Sequence, residues 1–284
     1  MYPQTVLLGI GLYEIFLTVG ILVAFFAADR LAVKSGFSLA LQRVLIVAFL
    51  AAIALGFCGA VLFQAFYNFM KTGVFMIDDT TGMTFYGGLI FGVGAFLAVW
   101  FLGGKFFCKE GEAVKRFGSI ADIAACLIPL AHAFGRIGCL FAGCCHGKET
   151  NAWYGVQMHT ETGLKTVVPV QLFEAVFLFA LAAALLVWLW KGRSGSGFWA
   201  KVPLLAVYAL LYGAWRFCIE YARGDDRGAS GIAFLSPSQL TAIVLVIVGA
   251  VWCCFVFFRK ERGNKESENS IENSKQNSKN QREV

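Results

Sequence analysis

Charge is what this sequence has least of. Only 15% of its 284 residues are Asp, Glu, Lys or Arg, whereas 58% are hydrophobic. No water-soluble domain of this length hides that much apolar surface, so the class is a polytopic membrane protein. The net charge of +6 is modest and forms no basic stripe, which argues against a nucleic-acid partner. No Lys or Arg precedes the first apolar run. A cleaved signal peptide needs a basic n-region, so that run reads as a retained span. Internal repeats with matching broken helices are also missing, which argues against a transporter. A lipid-binding sensor stays open.

Apolar runs are what the sequence has in plenty. Seven are long enough to cross about 30 Å of hydrocarbon: 6–28, 44–70, 84–102, 119–143, 170–190, 201–222 and 234–258. Backbone groups inside lipid must pair internally, so each is expected to be a helix. With the N-terminus outside, the cytoplasmic connections collect Arg30, Lys34, Arg43, Lys105, Lys109, Lys115, Arg116, Lys191, Arg193, Lys201, Arg259, Lys260, Arg262 and Lys265. The opposite side holds only Lys71, Arg136, Lys148, Lys165, Arg223 and Arg227. The positive-inside rule therefore favours N-terminus outside and C-terminus cytoplasmic. The expected organisation is all-α: a seven-helix transmembrane catalytic domain over 1–258, with a disordered cytoplasmic tail over 259–284. Residues 147–168 form a small extracytoplasmic element inside that domain, with a hairpin around Glu161 to Lys165.

In this orientation polar residues gather at the outer ends of all seven spans. Tyr13 and Glu14 lie in the first, Gln64, Tyr67 and Asn68 in the second, and Phe85–Gly88 opens the third. Arg136–Cys145 closes the fourth, Pro169–Glu174 opens the fifth, Tyr212–Asp226 closes the sixth, and Ser236–Leu240 opens the seventh. Asp122, at the inner end of the fourth, is the exception. Intramembrane ionisable residues face a bundle interior or a wet cavity, so one outward-facing polar cavity is expected.

The centre of interest is His132–Glu149, HAFGRIGCLFAGCCHGKE. His132, Arg136, Cys139 and Gly143 share one helix face. An arginine at the edge of hydrocarbon needs an anionic partner, so something negative is expected beside Arg136. In the sixth span Arg216 and Glu220 stand at i and i+4, with Arg223 one turn on. Those three arginines suit a phosphate, whose oxygens match guanidinium forks in pairs, and Glu220 would orient them. The plain alternative is an ion pair beside a snorkelling arginine. His132 next to a cation would be neutral and able to act as a general base; His146 is a second candidate. Tyr86, ahead of two glycines, is either a belt tyrosine or a polar group set where backbone approaches a ligand.

Of the nine cysteines, Cys58, Cys126, Cys218, Cys253 and Cys254 lie in apolar runs, where cysteine acts as a small hydrophobe. Cys108 falls in a short basic loop. Cys139, Cys144 and Cys145 remain for chemistry, but C-x4-C-C-H is a poor zinc spacing, because adjacent cysteines seldom both reach one ion. A disulfide on an oxidising face is another reading, and inert packing a third. No metal and no cofactor are expected.

Five motifs, YGGLIFG, D-x6-P ahead of GRIG, PVQLFE, YGAWRFCIEYARGDD and SPSQL, run in order through residues 1–258. Together they resemble the prolipoprotein diacylglyceryl transferases. The resemblance implies a bacterial cytoplasmic (inner) membrane enzyme, multi-pass, with its site facing outward. It would move a diacylglyceryl group from phosphatidylglycerol, a membrane lipid, to the lipobox cysteine thiol of a secreted lipoprotein precursor, releasing glycerol phosphate. Matched position by position, Arg136 is the signature arginine, Gly138, Gly143 and Gly147 its glycines, and Arg216 or Arg223 the second arginine region, with Arg216 favoured. Arg136, Arg216, His132 and Tyr86 are then the catalytic candidates. Arg223, Glu220, Gly138, Gly143, Gly147, Gln171 and Glu174 are the substrate-binding candidates. The family usually has histidine where Tyr86 stands, and its signature continues G-N-F with a carboxylate further on; here those positions are Cys139, Leu140 and Cys144. Two alternatives follow from these departures: a phospholipid-consuming transferase with another acceptor, and a membrane thiol redox protein using Cys139, Cys144 and Cys145.

Overall fold

The computed structural model describes residues 10–78, 81–160, 163–191, 202–224 and 235–257. The tail 259–284, Asp225, Asp226 and Arg227 lie outside them. Seven α-helices are described: α1 (Leu12–Lys34), α2 (Leu39–Thr72), α3 (Phe85–Phe107), α4 (Glu112–Ala142), α5 (Val170–Lys191), α6 (Leu204–Ile219) and α7 (Pro237–Phe257). All but α6 are long and apolar enough to cross a membrane, as expected for an all-α, multi-pass membrane protein. Helix α6 has 16 residues, about 24 Å at 1.5 Å per residue, and a 3-10 turn over Glu220–Ala222 prolongs it.

Most helix ends differ from the hydropathy boundaries, for local reasons. Helix α2 starts at Leu39 because Ser38 caps it, its hydroxyl accepting the Leu41 N–H at 3.2 Å. Helix α4 starts at Glu112, not 119, because its first turns carry charge and are anchored outside the apolar stretch. Glu112 there accepts the Ser38 hydroxyl at 3.0 Å, and Arg116 donates to the carbonyls of Ser35 and Gly36, each at 3.1 Å. Helix α4 runs on through Pro129, a residue that membrane helices tolerate. Helix α6 begins later than expected because Pro203 is its N-cap, and it ends before Glu220 enters the 3-10 turn.

The chain divides into two compact units, Met1–Ile21 with Ala124–Val284, and Leu22–Ile123. In the second, α2 and α3 meet through glycines. A Cβ on Gly87 would stand 2.5 Å from the Gly59 carbonyl oxygen, and one on Gly59 would stand 2.4 Å from Phe91. Small residues at such a contact let backbones close in where lipid offers no hydrophobic drive. Asp122 is buried in this unit.

In the first unit, the start of α1 lies along the end of α4. Phe16 stacks on Phe141 at 5.1 Å, and a Cβ on Gly138 would meet the Tyr13 backbone oxygen at 3.1 Å. Helices α4, α5 and α6 share a core of Ala125, Cys126, Leu181, Leu185 and Leu204. A two-stranded antiparallel hairpin, β1 (Val156–Thr160) and β2 (Gly163–Val167), pairs Val156 with Val167 and Thr160 with Gly163. A hairpin is thus present where one was expected around Glu161 to Lys165, with Glu161 and Thr162 themselves outside the described residues.

Candidate active site

The described polar residues of the first unit concentrate where α4, α5, α6 and α7 bring their motif ends together. Glu174, on the first turns of α5, is fully buried. It is the anion expected beside Arg136: the Arg136 Nε lies 3.0 Å from Glu174 Oε2 and 3.2 Å from His132 Nε2. The single Nε hydrogen points at the imidazole, so the contact with Glu174 is ionic. A ring nitrogen that accepts from a guanidinium carries no proton, so His132 Nε2 holds its lone pair toward Arg136. His132 Nε2 is also 3.9 Å from Glu174 Oε1. The same Glu174 Oε1 accepts from the Tyr212 hydroxyl at 3.2 Å, and Tyr212 meets the His132 ring edge-on at 5.4 Å.

One turn along α6 from Tyr212 stands Arg216. Its Nη2 is 2.8 Å from Glu220 Oε2 and donates to Ser238 Oγ at 2.9 Å. Its Nη1 is buried and has no hydrogen-bond partner among the described residues. The second carboxyl oxygen of Glu220 accepts from Ser236 Oγ at 2.8 Å, and Arg223 Nε stands 3.9 Å from Glu220 Oε2. Ser236 and Gln239 form a reciprocal cap for α7: the Ser236 hydroxyl accepts the Gln239 N–H at 3.2 Å, and the Gln239 side chain accepts the Ser236 N–H at 3.0 Å. One serine thus caps a helix and fixes Glu220.

Between α4 and α5 the chain crosses under tight constraint. Gly147 N–H donates to the Val168 carbonyl and Lys148 N–H to the Ala222 carbonyl, each at 2.9 Å. Gly147 and Arg223 pair as an isolated antiparallel bridge. A Cβ on Gly147 would stand 2.7 Å from both the Ala222 and Val168 oxygens, so only glycine fits. Gln171, fully buried, donates to the Cys144 carbonyl at 2.6 Å and so holds the turn after α4.

The structure therefore gathers Arg136, His132, Glu174, Arg216, Glu220 and Arg223. It gives Gly138, Gly147 and Gln171 packing and positioning roles. Gly143 takes a left-handed backbone, φ 74°. Tyr86 belongs to the other unit, on the first turn of α3, edge-on to Phe85 at 5.8 Å. Tyr212, Ser236 and Ser238 were not singled out from sequence. Their signal was there, as the motifs YGAWRF and SPSQ that open and flank the arginine region.

The cysteines depart from expectation. The sulfurs of Cys139, Cys144 and Cys145 all lie within 4.8 Å of one another, although adjacent cysteines were not expected to converge. Hydrogen bonding to Cys139 and Cys145, with burial, pushes the Cys144 thiol well above the ordinary thiol range.

Residues 4–255 match the family described as prolipoprotein diacylglyceryl transferase. The chain belongs to that family. Among curated members of this transferase family, one from Clostridium perfringens named "Phosphatidylglycerol--prolipoprotein diacylglyceryl transferase 2" is 34% identical over 161 residues, 55% of this chain and 59% of the relative. A Clostridium tetani "Phosphatidylglycerol--prolipoprotein diacylglyceryl transferase" is 31% identical over 201 residues, 68% of this chain and 72% of its own. An Aeromonas hydrophila protein of the same name is 30% identical over 216 residues, 73% of this chain and 71% of its own. The match thus spans less than two thirds of the first relative.

Proposed function

We propose that this transferase-family member does what its relatives' names state, moving a diacylglyceryl group from phosphatidylglycerol to a prolipoprotein. The observation that carries this reading is Arg216, a buried guanidinium with one nitrogen lacking a partner among the described residues. One turn before it on α6, Tyr212 donates to Glu174, which pairs with a second arginine, Arg136. A buried donor without an acceptor is costly, and a phosphate oxygen is the acceptor that a guanidinium fork fits.

The acceptor thiol gives up its proton and its sulfur attacks the glyceryl carbon. A C–S bond forms, the C–O bond to phosphate breaks, and glycerol phosphate leaves with the electron pair. Arg216 and Arg136 stabilise the charge that grows on the departing phosphate, with Arg223 adding to the field. Glu174 and Glu220 hold the arginines in place. His132 takes the thiol proton at Nε2, once that nitrogen exchanges Arg136 for the substrate. Tyr86 is a further catalytic candidate. Gly138, Gly143, Gly147 and Gln171 shape the wall against which the headgroup lies.

Helix α6 and its 3-10 turn make the seventh crossing, the N-terminus lies outside, the C-terminus is cytoplasmic, and the site faces outward from the bacterial inner membrane. Residues 1–258 are the catalytic domain, and 259–284 are a tail.

The test is transfer in vitro. Purified protein with phosphatidylglycerol and a lipobox peptide should give a thioether-linked lipopeptide and free glycerol phosphate, and Arg136→Ala should give neither. Lipid turnover without modification of any lipobox peptide would point to another acceptor. Folded protein that consumes no phosphatidylglycerol would refute the reading.

A further inference from the structure

The proposed transfer chemistry makes no use of the three thiols at the end of α4, and their arrangement is unusual. Cys139 lies in the last turn of α4, with Cys144 and Cys145 in the turn that follows. Successive residues of an extended chain point to opposite sides, which normally keeps a Cys-Cys pair from serving one ion. Here Gly143 and Cys145 both take left-handed backbone, with φ 74° and 58°, a conformation that residues other than glycine seldom adopt. The turn folds back, and the three sulfurs come within 4.8 Å of one another. An ion about 2.3 Å from each sulfur would hold them about 4 Å apart, so small side-chain rotations complete the shell.

The donor set selects the ion. Three sulfurs and no oxygen favour a soft, thiophilic cation. Among the described residues no fourth His, Cys, Asp or Glu joins the group, whereas structural zinc takes four ligands. The nearest imidazole in sequence, His146, turns its Nδ1 to the Gly147 carbonyl at 3.0 Å. Cys144 is exposed and the other two are partly so, leaving an entry path.

We propose that Cys139, Cys144 and Cys145 form a three-sulfur site for a soft cation of low coordination number, of the copper(I) class. On binding, three S–Cu bonds form, the thiol protons pass to solvent and no electron changes hands. Arg136 stands one turn before Cys139 on α4. The site is independent of the transferase reading.

The experiment uses full-length protein in detergent, reduced and kept under anaerobic conditions, titrated with copper(I) against a colorimetric copper(I) chelator. One equivalent per chain should be withheld from the chelator, with an X-ray absorption shell of sulfur alone. Cys144→Ser with Cys145→Ser should weaken retention at least 100-fold. Cys253→Ser with Cys254→Ser, a second adjacent pair but on the regular helix α7, should change nothing. A measurement without variants guards against misfolding: copper(I) should protect Cys139, Cys144 and Cys145 from iodoacetamide, read peptide by peptide. The proposal is overturned if the wild type yields its copper as readily as the double variant, or if protection falls elsewhere. Protein isolated without reductant in which Cys139 is disulfide-bonded to Cys144 or Cys145 would overturn it too.

Discussion

Arg136 and Glu174 form the most exposed point of the account at the level of single residues, because both are charged and nearly excluded from solvent. Removing one partner strands the other, which costs about 3–5 kcal/mol for a buried pair. Glu174→Gln is therefore expected to lower the melting temperature of the detergent-solubilised protein markedly. Arg136→Met combined with Glu174→Leu should recover most of that loss while leaving transfer abolished. If the double variant is as unstable as the single one, the pair is not the main partner of either residue. Arg216→Lys keeps the charge but loses Nη1, the nitrogen proposed to meet the phosphate while Nη2 holds Glu220 and Ser238. It should cost about 100-fold in turnover, with a smaller effect on stability, measured by initial rates and thermal melts. Tyr86→His installs the residue usual in the family, and at neutral pH an imidazole is a better base than a phenol. A catalytic Tyr86 requires that substitution to change the rate or its pH profile.

Legibility in the sequence varied with how locally each feature is determined. Arg216 with Glu220 could be read from i, i+4 spacing alone. The partner of Arg136 could be anticipated as an anion but not assigned, because Glu174 sits on another helix and only packing brings the two together. The thiol cluster was not legible, since it depends on a positive φ at Cys145 that no residue preference announces.

Among the elements, the Ser236-Pro237-Ser238-Gln239 run does two jobs, capping α7 and pinning Glu220. Ser236→Ala should cost about 1 kcal/mol from the lost cap alone and also slow transfer, because Glu220 loses a hydrogen bond. A stability loss with unchanged kcat would limit Ser236 to capping. The crossing at Gly147 is stricter. Gly147→Ala drives a methyl into two carbonyl oxygens, so the folded yield should fall sharply in size-exclusion profiles. Helix termini were the elements that hydropathy placed least well. The helices α1, α2 and α4 run past their apolar cores into charged turns, ending at Lys34, starting at Leu39 and starting at Glu112 respectively. A helix need not stop where lipid does.

At the scale of the whole molecule, composition alone determined the class, because 58% hydrophobic residues leave no soluble alternative. The proposed direction of insertion rests on where Lys and Arg fall. Reporter fusions after the C-terminus should be active only as cytoplasmic reporters, and an external result would reverse the topology. The central claim is that guanidinium groups of α4 and α6 hold the phosphate of one phospholipid. The most direct test is an experimental structure with phosphatidylglycerol bound. Its phosphate should lie within hydrogen-bond distance of Arg216 Nη1 and close to Arg136; a headgroup bound elsewhere, with Arg216 Nη1 still facing protein, would contradict the claim.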